Sequence, residues 1–152
     1  MKLLYERLNG RDGHTAGRAL LERLYGQPLP EIAYTPLGKP YFTGSSLHFS
    51  ISHTPKHVFC VLSDKPVGID AEEQDRNIRP ELAEKILSPQ EYAQFSQADD
   101  PRAALLKFWV LKEAAGKCTG KGLQPWPNHT NFSLDDPRIQ EIDGCFVAII
   151  EE

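Results

Sequence analysis

The first eight residues, MKLLYERL, place apolar side chains as a strand does, and NGRDG after them reads as a turn. Over residues 14–25 the spacing becomes helical. Ala16, Ala19, Leu20, Leu21 and Leu24 line one face, and Gly26 stands where such a helix ends. Residues 28–40 are loop-like except for a short extended piece at 32–34. Alternation of apolar and polar residues returns at 47–51, and further strands are expected at 57–62 and 66–72. A short helix is expected at 79–87. In the next one Ser88 can cap, Pro89 suits the first helical position and Glu91 completes a capping box. Asp100-Pro101 opens a long helix in the same way, running to about Cys118, and GKGL stops it. PWPNHTN reads as a loop, and 131–134, 138–142 and 145–150 as closing strands. Strands and helices mix without regular alternation, which favours an α+β fold over a doubly wound sheet.

The long helix is apolar nearly all round, which marks a buried helix. Its exceptions pose a question. Glu113 and Lys117 share a sector with Leu106 and Val110, and a buried charge needs a partner. Either the two pair with each other in the favourable glutamate-first order, or they face a metal or a phosphate.

Length and charge narrow the classes. The 152 residues suit one domain, and a formal net charge of -4 provides no global basic field for nucleic acid, so any anion site must be local. The three cysteines are widely spaced, with no CxxC pattern, and suit a reducing compartment. No apolar run is long enough to cross a membrane, and the charged start lacks a signal-peptide core. A cytoplasmic protein is expected.

Several residues could carry chemistry, each beside a plainer reading. Asp70 and Glu72 in VGIDAEE point to one face of a strand and repel unless a cation lies between them; one or two carboxylates plus substrate phosphates is a common way to hold Mg²⁺. The plainer reading is a solvated strand end. His53 in FSISHT, among Ser50, Ser52 and Thr54, could contact phosphate oxygens, or be a strand-end histidine without a ligand. Lys39 in LGKPYF is held extended by Pro40 and could reach a phosphate as a point charge, though a loop lysine is more often solvated. Arg18 and Arg23 read as solvated. Glu91 is explained by its capping box. Phe108, Trp109 and Trp126 read as packing. The histidines His14, His48, His57 and His129 show no metal-ligand spacing.

The order of these elements is more specific than any one of them. GKPYF, FSISHT, VGIDAEE, FWVLKEAAGK and GKGL closely resemble the 4′-phosphopantetheinyl transferases of the Sfp type, in register from about Gly38 to Leu123. The resemblance implies a phosphopantetheinyl-transferase-like fold and transfer of the phosphopantetheine arm of coenzyme A to a serine of an apo carrier protein (acyl, peptidyl or aryl). It implies that Asp70, Glu72 and Glu113 hold Mg²⁺ with the coenzyme A pyrophosphate, and that Lys117 lies near the transferring phosphoryl group. Ser52 and His53 would contact the coenzyme A phosphates, and Lys39 the nucleotide end. Glu91 matches a family glutamate that is a candidate general base; Glu113 or a metal-bound water are the alternatives.

Relatives of this type are longer and built of two similar halves. Here roughly 66 residues precede the VGID strand, so a single domain of two unequal halves, about 1–64 and 65–152, is expected. The basic segment that helps grip coenzyme A has no counterpart before His14. Self-association could compensate, so a monomer or small homo-oligomer is expected, binding neither nucleic acid nor membrane. The competing readings are a non-catalytic module that holds coenzyme A or a carrier protein, and a small Mg²⁺-dependent hydrolase of a nucleotide pyrophosphate.

Overall fold

The computed structural model describes residues 1–123 and 129–152. In chain order the elements are β1 (Lys2–Arg7), α1 (Gly13–Tyr25), β2 (Ile32–Tyr34), β3 (Pro40–Phe42), β4 (His48–His53), β5 (His57–Ser63), β6 (Val67–Glu73), α2 (Leu82–Ile86), α3 (Pro89–Gln97), α4 (Pro101–Thr119), β7 (Ile139–Ile142) and β8 (Cys145–Glu151). They form a sheet of order β1-β5-β4, a β2-β3 hairpin and a sheet of order β6-β8-β7. Every strand pairing is antiparallel, as the mixed α and β reading expects.

Local sequence sets the helix ends. Asp12 accepts the Thr15 amide at the start of α1, and Gly26 closes it with a left-handed φ of 74°. Asp100 caps α4 at Ala103, with Pro101 at the first position, and Gly120 ends it at φ 77°. The Ser88–Glu91 capping box forms at the start of α3 as the sequence predicts.

Strand alternation then sorts the core. On β5, Val58, Cys60 and Leu62 face Leu20 and Leu21 of α1, whereas Phe59 and Val61 join Ile69, Ala71, Val147 and Ile149 of the other sheet. The opposite face of β8, with Phe146, Ala148 and Ile150, packs on Leu106, Leu111 and Ala114 of α4. Each sheet thus carries one long helix outside and shares its inner face with its neighbour. That is why β5 is buried along its whole length and reads as a continuous apolar run. Gly68 sets the approach of α4 to β6: a Cβ there would stand 2.0 Å from the Ala114 carbonyl oxygen and 2.4 Å from the Cys118 amide nitrogen.

A second joint links the sheets. The Ser50 and Ser52 hydroxyls of β4 each accept a backbone amide of β6, from Ile69 and Ala71, at 3.1 Å. Thr54, two residues further on, donates to Glu73 at 2.6 Å. Hydroxyls at every second residue therefore continue across to β6 where no backbone ladder exists.

Three expectations need correction. Residues 131–134 do not form a strand, because side chains take their amides: Phe132 donates to Glu91 and Leu134 to Gln94. The helix expected at 79–87 shrinks to Leu82–Ile86, with Arg79 and Pro80 supplying turn carbonyls ahead of it. Pro40, read as the last residue of a loop, instead begins the strand Pro40–Phe42, which pairs with β2. Trp126 and most of the PWPNHTN loop lie outside the described residues.

Candidate active site

A cleft of about 380 Å³ opens where α1, the β2–β3 hairpin, β4 and the C-terminal end of α4 meet. His14 and Arg18 come to it from α1, Lys39 from the hairpin, His53 from β4, and Glu113 and Lys117 from α4. Four sequence-predicted residues, Lys39, His53, Glu113 and Lys117, are thereby gathered from three segments. Arg18, read as solvated, belongs to the same wall. The cleft is rich in cationic and imidazole groups although the chain as a whole is acidic. With no global basic field on the chain, an anion site would need such a local group of positive side chains.

Glycines shape its floor. The Gly116 carbonyl accepts the amides of both Gly120 and Gly122, so GKGL folds back over the last turn of α4. A Cβ at Gly116 would lie 2.7 Å from the Gly122 carbonyl oxygen, which leaves no space for a side chain. Lys39 packs its stem on Gly120 and donates to the Cys118 carbonyl at 2.5 Å. A cation there also suits the negative end of the helix dipole. His53 lies against the start of α1, its ring 2.5 Å from where a Gly13 Cβ would be.

Behind the cleft lies the carboxylate group. Lys117 does not pair with Glu113: its Nζ donates to Asp70 Oδ1 at 2.9 Å and to the Ile69 carbonyl at 3.0 Å. Asp70 is 6 % exposed, and its Oδ2 is the single buried side-chain oxygen without a hydrogen-bond partner among the described residues. Glu72 turns to Arg76, 2.5 Å away, and Arg76 in turn lies over the Trp109 ring. Glu113 is half-buried, and its side chain makes no hydrogen bond to the described residues. Burial raises the pKa of all three carboxyls. The Asp70 charge raises Glu72 and Glu113 further, while Lys117 pulls Asp70 and Glu113 down and Arg76 offsets all three.

These features fit a hard divalent cation. The donors are all carboxylate oxygens, one is buried and orphaned, and a positive ion would offset both the burial that raises all three and the Asp70 repulsion that adds to it at Glu72 and Glu113. The three do not form a closed cage, since Arg76 draws Glu72 aside. Among the described residues, the one group of three histidine, cysteine or acidic side chains with ligand atoms all within 4.8 Å is His57, Glu73 and Cys145, on the other face of β6.

Two predicted residues are engaged elsewhere. Ser52 is buried in the joint between the sheets, accepting from Ala71 and 3.4 Å from Asp70 Oδ1. It supports the aspartate from behind and does not line the cleft. Glu91 is wholly buried. Its Oε1 accepts the Ser88 amide at 2.8 Å and Lys112 Nζ at 2.7 Å, and its Oε2 accepts the Phe132 amide at 2.8 Å and the Thr130 hydroxyl at 3.2 Å. Lys112 is the residue that sequence reading missed. It follows Leu111 as one more position of an apolar helix, and only the distant Glu91 explains it.

The 4′-phosphopantetheinyl transferase superfamily model matches residues 66–147, more than half of the chain. A 4′-phosphopantetheinyl transferase of Bacillus subtilis is 35% identical over 115 residues, covering 74% of this chain and 48% of its own length. The 4′-phosphopantetheinyl transferase AcpT of Salmonella typhi is 39% identical over 111 residues, covering 69% of this chain and 57% of its own. Sfp of Bacillus subtilis strain 168 is 30% identical over 116 residues, covering 73% and 51%. The chain thus spans about half the length of the curated relatives it matches. The family match holds the carboxylate group and Lys117, while Lys39 and His53 lie ahead of it and reach the same cleft through the fold. On these grounds the chain belongs to the 4′-phosphopantetheinyl transferase superfamily.

Proposed function

We propose that this protein transfers the 4′-phosphopantetheine arm of coenzyme A to a serine hydroxyl of an apo carrier protein, releasing adenosine 3′,5′-bisphosphate. The observation that carries this reading is the unsatisfied Asp70 Oδ2 behind Lys117 and Glu113, which line a cationic cleft. In this reading the chain has the family's fold as one domain of two unequal halves, about 1–64 and 65–152. It works in the cytoplasm with neither nucleic acid nor membrane as partner. Among the described residues no helix is long and apolar enough to cross a membrane.

Asp70, Glu72 and Glu113 would hold Mg²⁺, which when bound supplies positive charge to the pyrophosphate oxygens. For Glu72 this means release from Arg76. Lys117 stabilises the negative charge that develops on the phosphoryl oxygens during transfer. Arg18, Lys39 and His53 bind the phosphates of coenzyme A along the cleft wall. Glu113, the carboxylate that lines the cleft, takes the proton from the attacking serine hydroxyl. Glu91 is left out of the chemistry: both its oxygens already accept two hydrogen bonds each inside the protein.

The test is intact-mass spectrometry of a panel of apo acyl and peptidyl carrier proteins incubated with this protein, coenzyme A and Mg²⁺. A gain of one phosphopantetheine, abolished by chelation, is the expected result. Coenzyme A binding with no gain on any carrier would replace the transferase with a non-catalytic binding module.

A further inference from the structure

Strand alternation sends Glu73 to the face of β6 opposite Glu72 and Asp70. There it meets His57 at the start of β5 and Cys145 at the start of β8. One ligand atom from each lies within 4.8 Å of the other two. His57 Nδ1 is 2.7 Å from Glu73 Oε1 and 3.4 Å from Cys145 Sγ. All three are largely withdrawn from solvent, at 5 %, 9 % and 0 % exposure. The proposed transfer chemistry uses none of them.

The groups around them form a second layer of support. His57 Nε2 is 2.8 Å from Asp143 Oδ2, and Arg7 grips both oxygens of Asp143 at 2.9 Å. Thr54 fixes Glu73 by donating to Oε1 at 2.6 Å. A carboxylate behind one imidazole nitrogen leaves the other aimed at a shared point, and this is how metal-binding histidines are oriented. A cavity of about 600 Å³, lined by His57, Glu73 and Asp143 among others, opens on the cluster. It gives an ion a way in and leaves room for water as a fourth ligand.

We propose that His57, Glu73 and Cys145 form a binding site for a thiolate-tolerant divalent transition ion, zinc foremost, separate from the carboxylates of the cleft. One imidazole, one thiolate and one carboxylate suit zinc, whereas Mg²⁺ prefers oxygen donors alone. Binding displaces the Cys145 thiol proton and any proton on His57 Nδ1; both leave to solvent, and no redox change is involved. The ion ties β5 of one sheet to β6 and β8 of the other, so it braces the two sheets.

The experiment uses the whole chain after chelator treatment, with Co²⁺ and Zn²⁺ as probes. One equivalent of Co²⁺ is expected to give near-ultraviolet thiolate-to-cobalt absorption that Zn²⁺ displaces and excess Mg²⁺ does not. Cys145→Ala is expected to remove that band. Asp143 lies on a turn at φ 48°, a conformation asparagine tolerates, so Asp143→Asn keeps the fold and loses roughly ten- to a hundredfold in Zn²⁺ affinity. No thiolate band, a band that survives Cys145→Ala, or unchanged Zn²⁺ affinity in Asp143→Asn would overturn the proposal.

Discussion

Helix α4 carries two lysines, Lys112 and Lys117, and each meets a carboxylate from another element. Lys112 pairs with Glu91 where both side chains are at most 1 % exposed, and two amides and the Thr130 hydroxyl fill the remaining acceptor sites of Glu91. Lys117 pairs with Asp70 at the edge of a cleft, its side chain 33 % exposed, with Asp70 Oδ2 unpartnered and Glu113 unpaired beside it. The pairs are similar in length, 2.7 and 2.9 Å. They differ in saturation. A buried charge pair whose hydrogen bonds are complete holds structure together. One left incomplete toward an open cleft keeps free valence for a ligand.

The comparison can be broken at either end. The largest expected effect is at the closed pair. Lys112→Met strands the buried Glu91 charge and should cost about 3–5 kcal/mol in urea unfolding; a loss below about 1 kcal/mol would show that the pair is not structural. Next comes Gly68→Ala, which drives a methyl group into the backbone of α4. A loss of about 3 kcal/mol is expected, and transfer should fall further than unfolding explains, because α4 carries Glu113 and Lys117. A smaller effect is expected from Ser52→Ala. It leaves the buried Ala71 amide unsatisfied, for about 1–3 kcal/mol. A raised KM for coenzyme A with unchanged stability would instead return Ser52 to phosphate binding.

The smallest effect on stability should be a gain. Asp70, Glu72 and Glu113 have raised folded-state pKa values. Between the ordinary carboxylate range and those raised values the folded protein binds more protons than the unfolded chain. Stability from these groups therefore falls as pH rises through that window. In metal-free protein Glu113→Gln should flatten this fall, measured by thermal unfolding across pH; a steeper fall would contradict the burial and repulsion assigned to Glu113.

Much of this site was legible in the sequence. Glu113 and Lys117 stood out because charges interrupt an apolar helix, and Asp70 and Glu72 because two carboxylates share one strand face. The Gly26 end of α1 and the caps at the starts of α3 and α4 followed from local residues alone. What stayed hidden depends on contacts between distant segments. Nothing near Lys112 announces Glu91, twenty-one positions away. The Ser50, Ser52 and Thr54 hydroxyls looked free for phosphate until β6 came alongside. Residues 131–134 had strand-like composition, but Glu91 and Gln94 took the amides that a strand would have used. His57, Glu73 and Cys145 are too far apart in the chain for any ligand spacing to show.

The central claim is that the unsaturated carboxylates serve the reaction at a cost to stability. The most direct measurement is of Glu113→Gln in parallel with the native chain, by thermal unfolding and by intact mass of an apo carrier with coenzyme A and Mg²⁺. The expected result is an unfolding temperature at or above the native one together with loss of transfer. Transfer at the native rate by the Glu113→Gln protein would contradict the account.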